Sequence, residues 1–136
     1  MAAQAEASLP RGTETILLVE DEGGVRMIFR RVLESHGYKI YEATTAEEAL
    51  GFWRTRAKEI ALLLTDIVMP LGVTGRDLAD QLRAQEPALK VVLMSGYSAD
   101  VIGKDTNFFQ RTQTSFLQKP CSARALLETV RRCLDA

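Results

Sequence analysis

The 136-residue sequence predicts one α/β domain, a doubly wound five-stranded parallel sheet with helices on both faces. Three observations carry that expectation. The runs Ile16 to Val19, Ile60 to Leu64 and Val91 to Met94 are continuously apolar, as strands buried on both faces must be. Stretches of helical period alternate with these strand-length runs. The length suits a single domain of roughly 100–200 residues and leaves little room for a second.

In chain order, residues 1–14 (MAAQAEASLPRGTE) are small and polar and are interrupted by Pro10 and Gly12. They are expected to form a linker or disordered tail, with residues 15–136 as the domain. The first strand, Ile16 to Val19, is followed by Val25, Ile28, Phe29, Val32 and Leu33 on one helical face, with Gly37 as the stop. Tyr38 to Ala43 mixes polar and apolar residues and suits an edge strand. Thr45, with Glu48 three residues on, has the spacing of a capping box before a helix carrying Ala46, Ala49, Leu50 and Trp53. After the third strand, Leu78, Ala79 and Leu82 mark a helix ending before Pro87. Ser115 to Gln118 reads as the second edge strand, and a last helix starts near Ser122 and carries Leu126, Leu127, Val130, Cys133 and Leu134. The helix between the last two strands, residues 98–105, is poorly signalled. Few apolar residues stand between Ala99 and Thr114, so a short or irregular helix and a mobile connection over 105–114 are expected.

Composition excludes several classes. The chain is 46% hydrophobic, and its 17 Lys+Arg and 18 Asp+Glu lack the excess of positive charge that a phosphate-tracking nucleic-acid binder needs. No apolar run reaches the ~20 residues of a membrane span and the N-terminus lacks a signal pattern, so an intracellular, cytoplasmic domain without membrane contact is expected. Cys121 and Cys133 have no metal-ligand spacing, and one helix carrying both would hold them about 18 Å apart, so they read as reduced, packed thiols. Trp53 reads as packing, and His36, before Gly37, as a helix-end residue.

In an open α/β sheet, ligands bind beyond the carboxyl ends of the strands. The first strand ends in Glu20-Asp21-Glu22 and the third in Asp66. If those strands are neighbours, at least three carboxylates converge and need a cation, for which Mg²⁺ with oxygen ligands is suited. The competing reading is that such acids cap helix N-termini. The fourth strand ends in Ser95-Gly96 and the fifth in Lys119-Pro120, adding a hydroxyl and an ammonium to the same edge. Together these groups describe a phosphoryl site, with a carboxylate nucleophile forming an acyl phosphate.

The segments ILLVEDE (16–22), LLLTDIVMP (62–70), VVLMSGY (91–97) and FLQKP (116–120) resemble the receiver domains of two-component response regulators, over about Thr15 to Ala136. The resemblance implies a flavodoxin-like sheet of order 2-1-3-4-5. It implies Asp66 as phosphoacceptor, Glu20 and Asp21 as the acidic pair holding Mg²⁺ with Asp66 and the Val68 backbone carbonyl, Ser95 as switch hydroxyl, Lys119 as the phosphate-pairing lysine and Phe116 as the switch aromatic. Three features depart from the usual pattern. The acidic pair is Glu-Asp, the loop Met69 to Gly75 is one residue longer, and Cys121 follows Lys-Pro. Phe116 has no phenolic hydroxyl to hold an outward pose, so an inward ring is expected.

The implied donor is a histidine kinase or phosphotransfer domain. The surface of the 98–105 helix, the fifth strand and the last helix would then be read by a downstream partner, or by a second copy in a homodimer. The wording of the motifs resembles receivers at the C-terminal end of hybrid sensor histidine kinases, the alternative being a stand-alone single-domain regulator. With the last helix at the chain end, the expected output is another protein or the rest of a longer one. An aspartyl-phosphate hydrolase would carry a general acid where Val68 stands, a flavin carrier a phosphate loop in place of Glu20-Asp21-Glu22, and an unphosphorylated scaffold would have lost the acids. As an isolated domain the expectation is self-phosphorylation and self-dephosphorylation, with no separate metabolite turned over.

Overall fold

The computed structural model describes residues 9–69, 73–96 and 114–136. Five strands, β1 (Thr15–Val19), β2 (Lys39–Ala43), β3 (Ile60–Asp66), β4 (Lys90–Ser95) and β5 (Thr114–Gln118), form one parallel sheet of order β2-β1-β3-β4-β5. Four helices, α1 (Gly23–Ser35), α2 (Ala46–Arg56), α3 (Gly75–Gln85) and α4 (Ala123–Asp135), are described. The implied doubly wound, flavodoxin-like order is therefore observed. The expected 98–105 helix and the 105–114 connection lie outside the described residues.

The sheet divides two cores, because successive side chains of a strand point to opposite faces. Leu17, Val19, Leu63, Val91 and Leu93 meet Ala49 and Trp53 of α2 and Leu78 and Leu82 of α3. Ile16, Leu18, Leu62, Leu64, Val92 and Met94 meet Phe29 and Leu33 of α1 and Leu126, Leu127 and Val130 of α4. Each buried Leu-sized side chain contributes roughly 1.5–3 kcal/mol, which holds the central strands and their ends in fixed register.

Trp53 is buried and donates its indole N–H to Gln85 Oε1 at 3.0 Å, linking α2 to α3. His36 is the C-cap of α1, and Gly37 follows at φ +103°, the left-handed conformation that ends the helix. Cys133 is buried in α4 and Cys121 half-buried before it, and both are free thiols.

Two expectations are corrected in detail. Ile28, placed by periodicity on the inner face of α1, is 61% exposed. It lies at the margin of the apolar stripe whose centre is Phe29 and Leu33, so the helix turns it away from the core. Thr45 accepts from the Glu48 N–H, but the Glu48 carboxylate reaches back one residue further, to the Thr44 N–H and hydroxyl, so the reciprocal box is not closed there. It is closed at α3, where Thr74 and Asp77 exchange both bonds. Cys121 precedes α4, whose start at Ala123 agrees with the boundary expected near Ser122.

Residues 9–14 lie along the domain. Leu9 packs on the α1/α4 core, the Gly12 N–H donates to the His36 carbonyl at 3.1 Å, and Glu14 pairs with Arg131 of α4 at 2.7 Å.

Candidate functional site

β1 and β3 are adjacent, so their carboxyl ends bring Glu20, Asp21 and Asp66 together. One carboxylate oxygen from each lies within 4.8 Å of the others. Glu20 and Asp66 are buried and Asp21 is exposed. Glu22 takes the other role considered for these acids: it is the N-cap of α1 and accepts from the Gly24 N–H at 3.3 Å. The acidic run thus splits between a helix cap and the cluster.

Lys119, just beyond β5, sends Nζ back over the end of the sheet, to 2.6 Å from Asp66 Oδ1 and 2.8 Å from Glu20 Oε2. Its own N–H donates to the Ser95 carbonyl at 2.8 Å, which fixes the β5 end against β4. Ser95 is buried as the last residue of β4. Asp21, Asp66, Val68, Ser95 and Lys119 line a pocket of about 110 Å³. Phe116 stands half-buried on β5, opposite Leu93.

Burial pushes the Asp66 carboxyl up to about 7; the Lys119 ammonium opposes the rise and the neighbouring Glu20 charge adds to it. Lys119 is held above its ordinary value because its two carboxylate partners outweigh its own burial. Asp66 Oδ1 is buried and, although 2.6 Å from Lys119 Nζ, makes no aligned hydrogen bond. A buried, poorly satisfied carboxylate oxygen flanked by two more acids fits a hard divalent cation.

Three residues that sequence reasoning passed over shape this site. Gly75 opens α3 so close to Asp66 that a Cβ would overlap the Asp66 carbonyl oxygen. Its N–H donates to the Ile67 carbonyl at 2.7 Å. A glycine in the first turn of a helix, where it weakens helix formation, was the available signal. The buried Thr65 hydroxyl donates to the Asp66 carbonyl at 3.0 Å. Arg26 donates from its guanidinium to the Glu20 carbonyl at 2.8 Å, and nothing in its spacing announces this.

The response regulator receiver domain family matches residues 16–131. The chain belongs to that family. The receiver domain is 37% identical over 124 residues to the sensor kinase CckA of Brucella abortus, covering 91% of this chain and 13% of that kinase. It is 31% identical over 121 residues to the response regulator receiver protein CpdR of the same organism, covering 89% of this chain and 97% of CpdR. Among solved structures it resembles the receiver domain of the hybrid histidine kinase CckA, with a TM-score of 0.74 and 35% identity over 88% of this chain and 98% of that one. The receiver domain of NtrX from Brucella abortus gives a TM-score of 0.76 at 29% identity, over 89% and 98% of the two chains. Receiver domains bind Mg²⁺ at an acidic pocket and interact with histidine kinases or phosphotransfer proteins. Among the described residues no helix is long and apolar enough to cross a membrane.

Proposed function

We propose that this receiver domain accepts a phosphoryl group on Asp66 from the phosphohistidine of a histidine kinase or phosphotransfer domain and switches a protein-binding surface in response. A carboxylate oxygen of Asp66 attacks phosphorus, the histidine nitrogen–phosphorus bond breaks, and the imidazole leaves with the electron pair. The Lys119 ammonium pairs with one phosphoryl oxygen and the Ser95 hydroxyl donates to another. Glu20, Asp21, Asp66 and the Val68 backbone carbonyl would hold Mg²⁺, which when bound neutralises charge on the phosphoryl oxygens. Phe116 would follow Ser95 inward as the switch aromatic.

The observation that carries this reading is the convergence of two carboxylates, Glu20 and Asp21, and one ammonium, Lys119, on a buried aspartate at a strand end. Exposed Met27, Ile28 and Val68, together with an apolar groove of about 410 Å³ formed by Val25, Ile28, Phe29, Pro120 and Cys121 beside Lys119, suit a protein donor rather than a small molecule alone. Residues 15–136 form the receiver and residues 1–14 the linker, whose residues 9–14 pack against the receiver. A position in a hybrid kinase, in the cytoplasm, is supported by the likeness to CckA. The stand-alone reading is favoured by CpdR, nearly all of whose length this chain covers. As an isolated domain it turns over no separate metabolite.

Incubation with Mg²⁺ and acetyl phosphate tests the acceptor. Mass spectrometry should place the phosphoryl group on Asp66, and Asp66→Asn or EDTA should abolish labelling. Equal labelling of the Asn variant overturns the assignment. Asp21→Ala should weaken Mg²⁺ binding more than Glu20→Ala, because the Glu20 carboxylate is already engaged by Lys119 and by the Glu22 N–H at 3.1 Å.

A further inference from the structure

We propose that Arg26 is a positioning residue for the acidic pair, holding the main chain of Glu20 so that the carboxylates at the end of β1 face Asp66. The inference rests on the metal-binding reading above and concerns a residue that touches neither the metal nor the phosphoryl group.

Every polar group of Glu20 is engaged. Its N–H donates to the Ala43 carbonyl at the end of β2 at 3.0 Å, and its carbonyl accepts from an Arg26 guanidinium nitrogen at 2.8 Å. One carboxylate oxygen accepts from the Glu22 N–H and the other from Lys119. Glutamate has one more rotatable bond than aspartate, so a Glu in this position needs its backbone fixed if its carboxylate and that of Asp21 are to stay in place. Arg26 supplies that restraint through a charge-assisted bond to a carbonyl, made stronger by partial burial.

The guanidinium is itself aimed. Arg26 Nε lies 3.2 Å from Glu42 Oε1 on β2, and Glu42 Oε2 takes Arg30 one turn further along α1. A single-point cation could reach one of these acceptors; the planar fork of arginine spans both, the Glu42 carboxylate and the Glu20 carbonyl. The result ties the carboxyl ends of β1 and β2 to the first turn of α1. A surface ion pair for its own sake contributes little. The bond to a main-chain carbonyl at the acidic strand end is what gives Arg26 a bearing on the site.

Charge and positioning predict opposite signs, which makes the inference testable. Acting only through space, the Arg26 cation repels a divalent ion, so Arg26→Ala would raise metal affinity. Acting by positioning, its loss lowers affinity. Residues that orient metal ligands typically contribute ~10–100-fold, and because Ala43 still holds the Glu20 N–H a fall of about three- to tenfold is expected.

The experiment measures Mn²⁺ binding by electron paramagnetic resonance, counting free Mn²⁺, on the intact chain, with thermal unfolding in EDTA confirming that each variant is folded. Arg26→Ala should lose affinity, Arg26→Lys should recover part of the loss, and Arg30→Ala, which removes a cation from the same helix and the same glutamate but does not reach Glu20, should stay within about twofold. Should Arg26→Ala prove too unstable, Glu42→Gln keeps the arginine while weakening its anchor and is expected to show a smaller fall than Arg26→Ala. Unchanged or increased affinity in the folded Arg26 variants, with the wild type binding normally, overturns the inference alone. A wild type that binds no Mn²⁺ overturns both the inference and the reading beneath it.

Discussion

Lys119 Nζ lies 2.6 Å from Asp66 Oδ1 although the strands before them, β5 and β3, are separated by β4. The ammonium therefore crosses the end of β4, where Ser95 stands, and the three groups form one row along the sheet edge. Removing Lys119 removes the cation that opposes the rise in the Asp66 pKa. Lys119→Ala is expected to move the pH midpoint of phosphorylation by acetyl phosphate upward and to slow the reaction at neutral pH. A rate–pH profile that superimposes on the wild type would contradict the role given to the ion pair.

The raised carboxyl also has a consequence for stability. Between the ordinary value of 3.8 and about 7, the folded protein binds a proton on Asp66 that the unfolded chain has released. The native state is then the better proton binder, so this residue's contribution to stability falls as pH rises through that window. In EDTA, Asp66→Asn should be little different from the wild type at the acid end of the window and more stable above its upper end. Addition of Mg²⁺ should reverse the difference in favour of the wild type. Chemical denaturation at the two pH values, with and without Mg²⁺, measures it.

Gly75 lies against the Asp66 main chain too closely for a side chain. Gly75→Ala must shift either the start of α3 or Asp66 itself, and overpacking of this kind costs about 1–3 kcal/mol. Phosphorylation should slow by more than the loss of stability explains, since the displaced residue is the proposed acceptor. Equal rates in variant and wild type at a temperature where both are folded would remove Gly75 from the site.

Arg131 of α4 holds Glu14 through two charge-assisted bonds, at 2.7 and 3.1 Å, and pulls the Glu14 carboxyl down to about 2. A depressed acid stabilises the fold above its unfolded value of 4.5, and that stabilisation fades as pH falls toward about 2. Both side chains are partly solvated, so Arg131→Ala should cost about 1 kcal/mol at neutral pH and progressively less in acid. Trypsin should also cut faster after Arg11, whose carbonyl accepts from Arg131 at 3.2 Å. A variant with the same pH dependence as the wild type would show the pair to be inconsequential.

Val68, two residues past Asp66, is 67% exposed at the mouth of the pocket. It carries neither an acid nor an amide to align a water molecule for attack on the phosphoryl group. Tyr97, which the sequence places at the corresponding position past Ser95, lies outside the described residues. Self-dephosphorylation is expected to take minutes or longer, and Val68→Asn should shorten the lifetime. Following loss of the phosphoryl group after removal of the donor measures this, and a wild-type half-life of seconds would refute it.

The sequence alone determined the layers of the fold and the chemical membership of the site. Continuous apolar runs of strand length alternating with helical stretches point to strands covered on both faces, and the residues at the strand ends, Asp66, Ser95 and Lys119, then share one edge. Helix boundaries at Thr45, Ser122 and Gly37 were legible for the same reason, because capping and left-handed stops are set by neighbours in the chain. Only the tertiary structure decided which of three consecutive acids caps α1 and which face Asp66, that Glu48 bonds to Thr44, and that Ile28 turns outward. It alone showed the reach of Arg26 to the Glu20 carbonyl and the burial that lifts the Asp66 pKa. Spacing encodes the face on which a side chain lies, since helix and strand periods are local. The partner that a long side chain finds, and the solvent that a carboxylate loses, depend on elements distant in sequence and brought together only by packing.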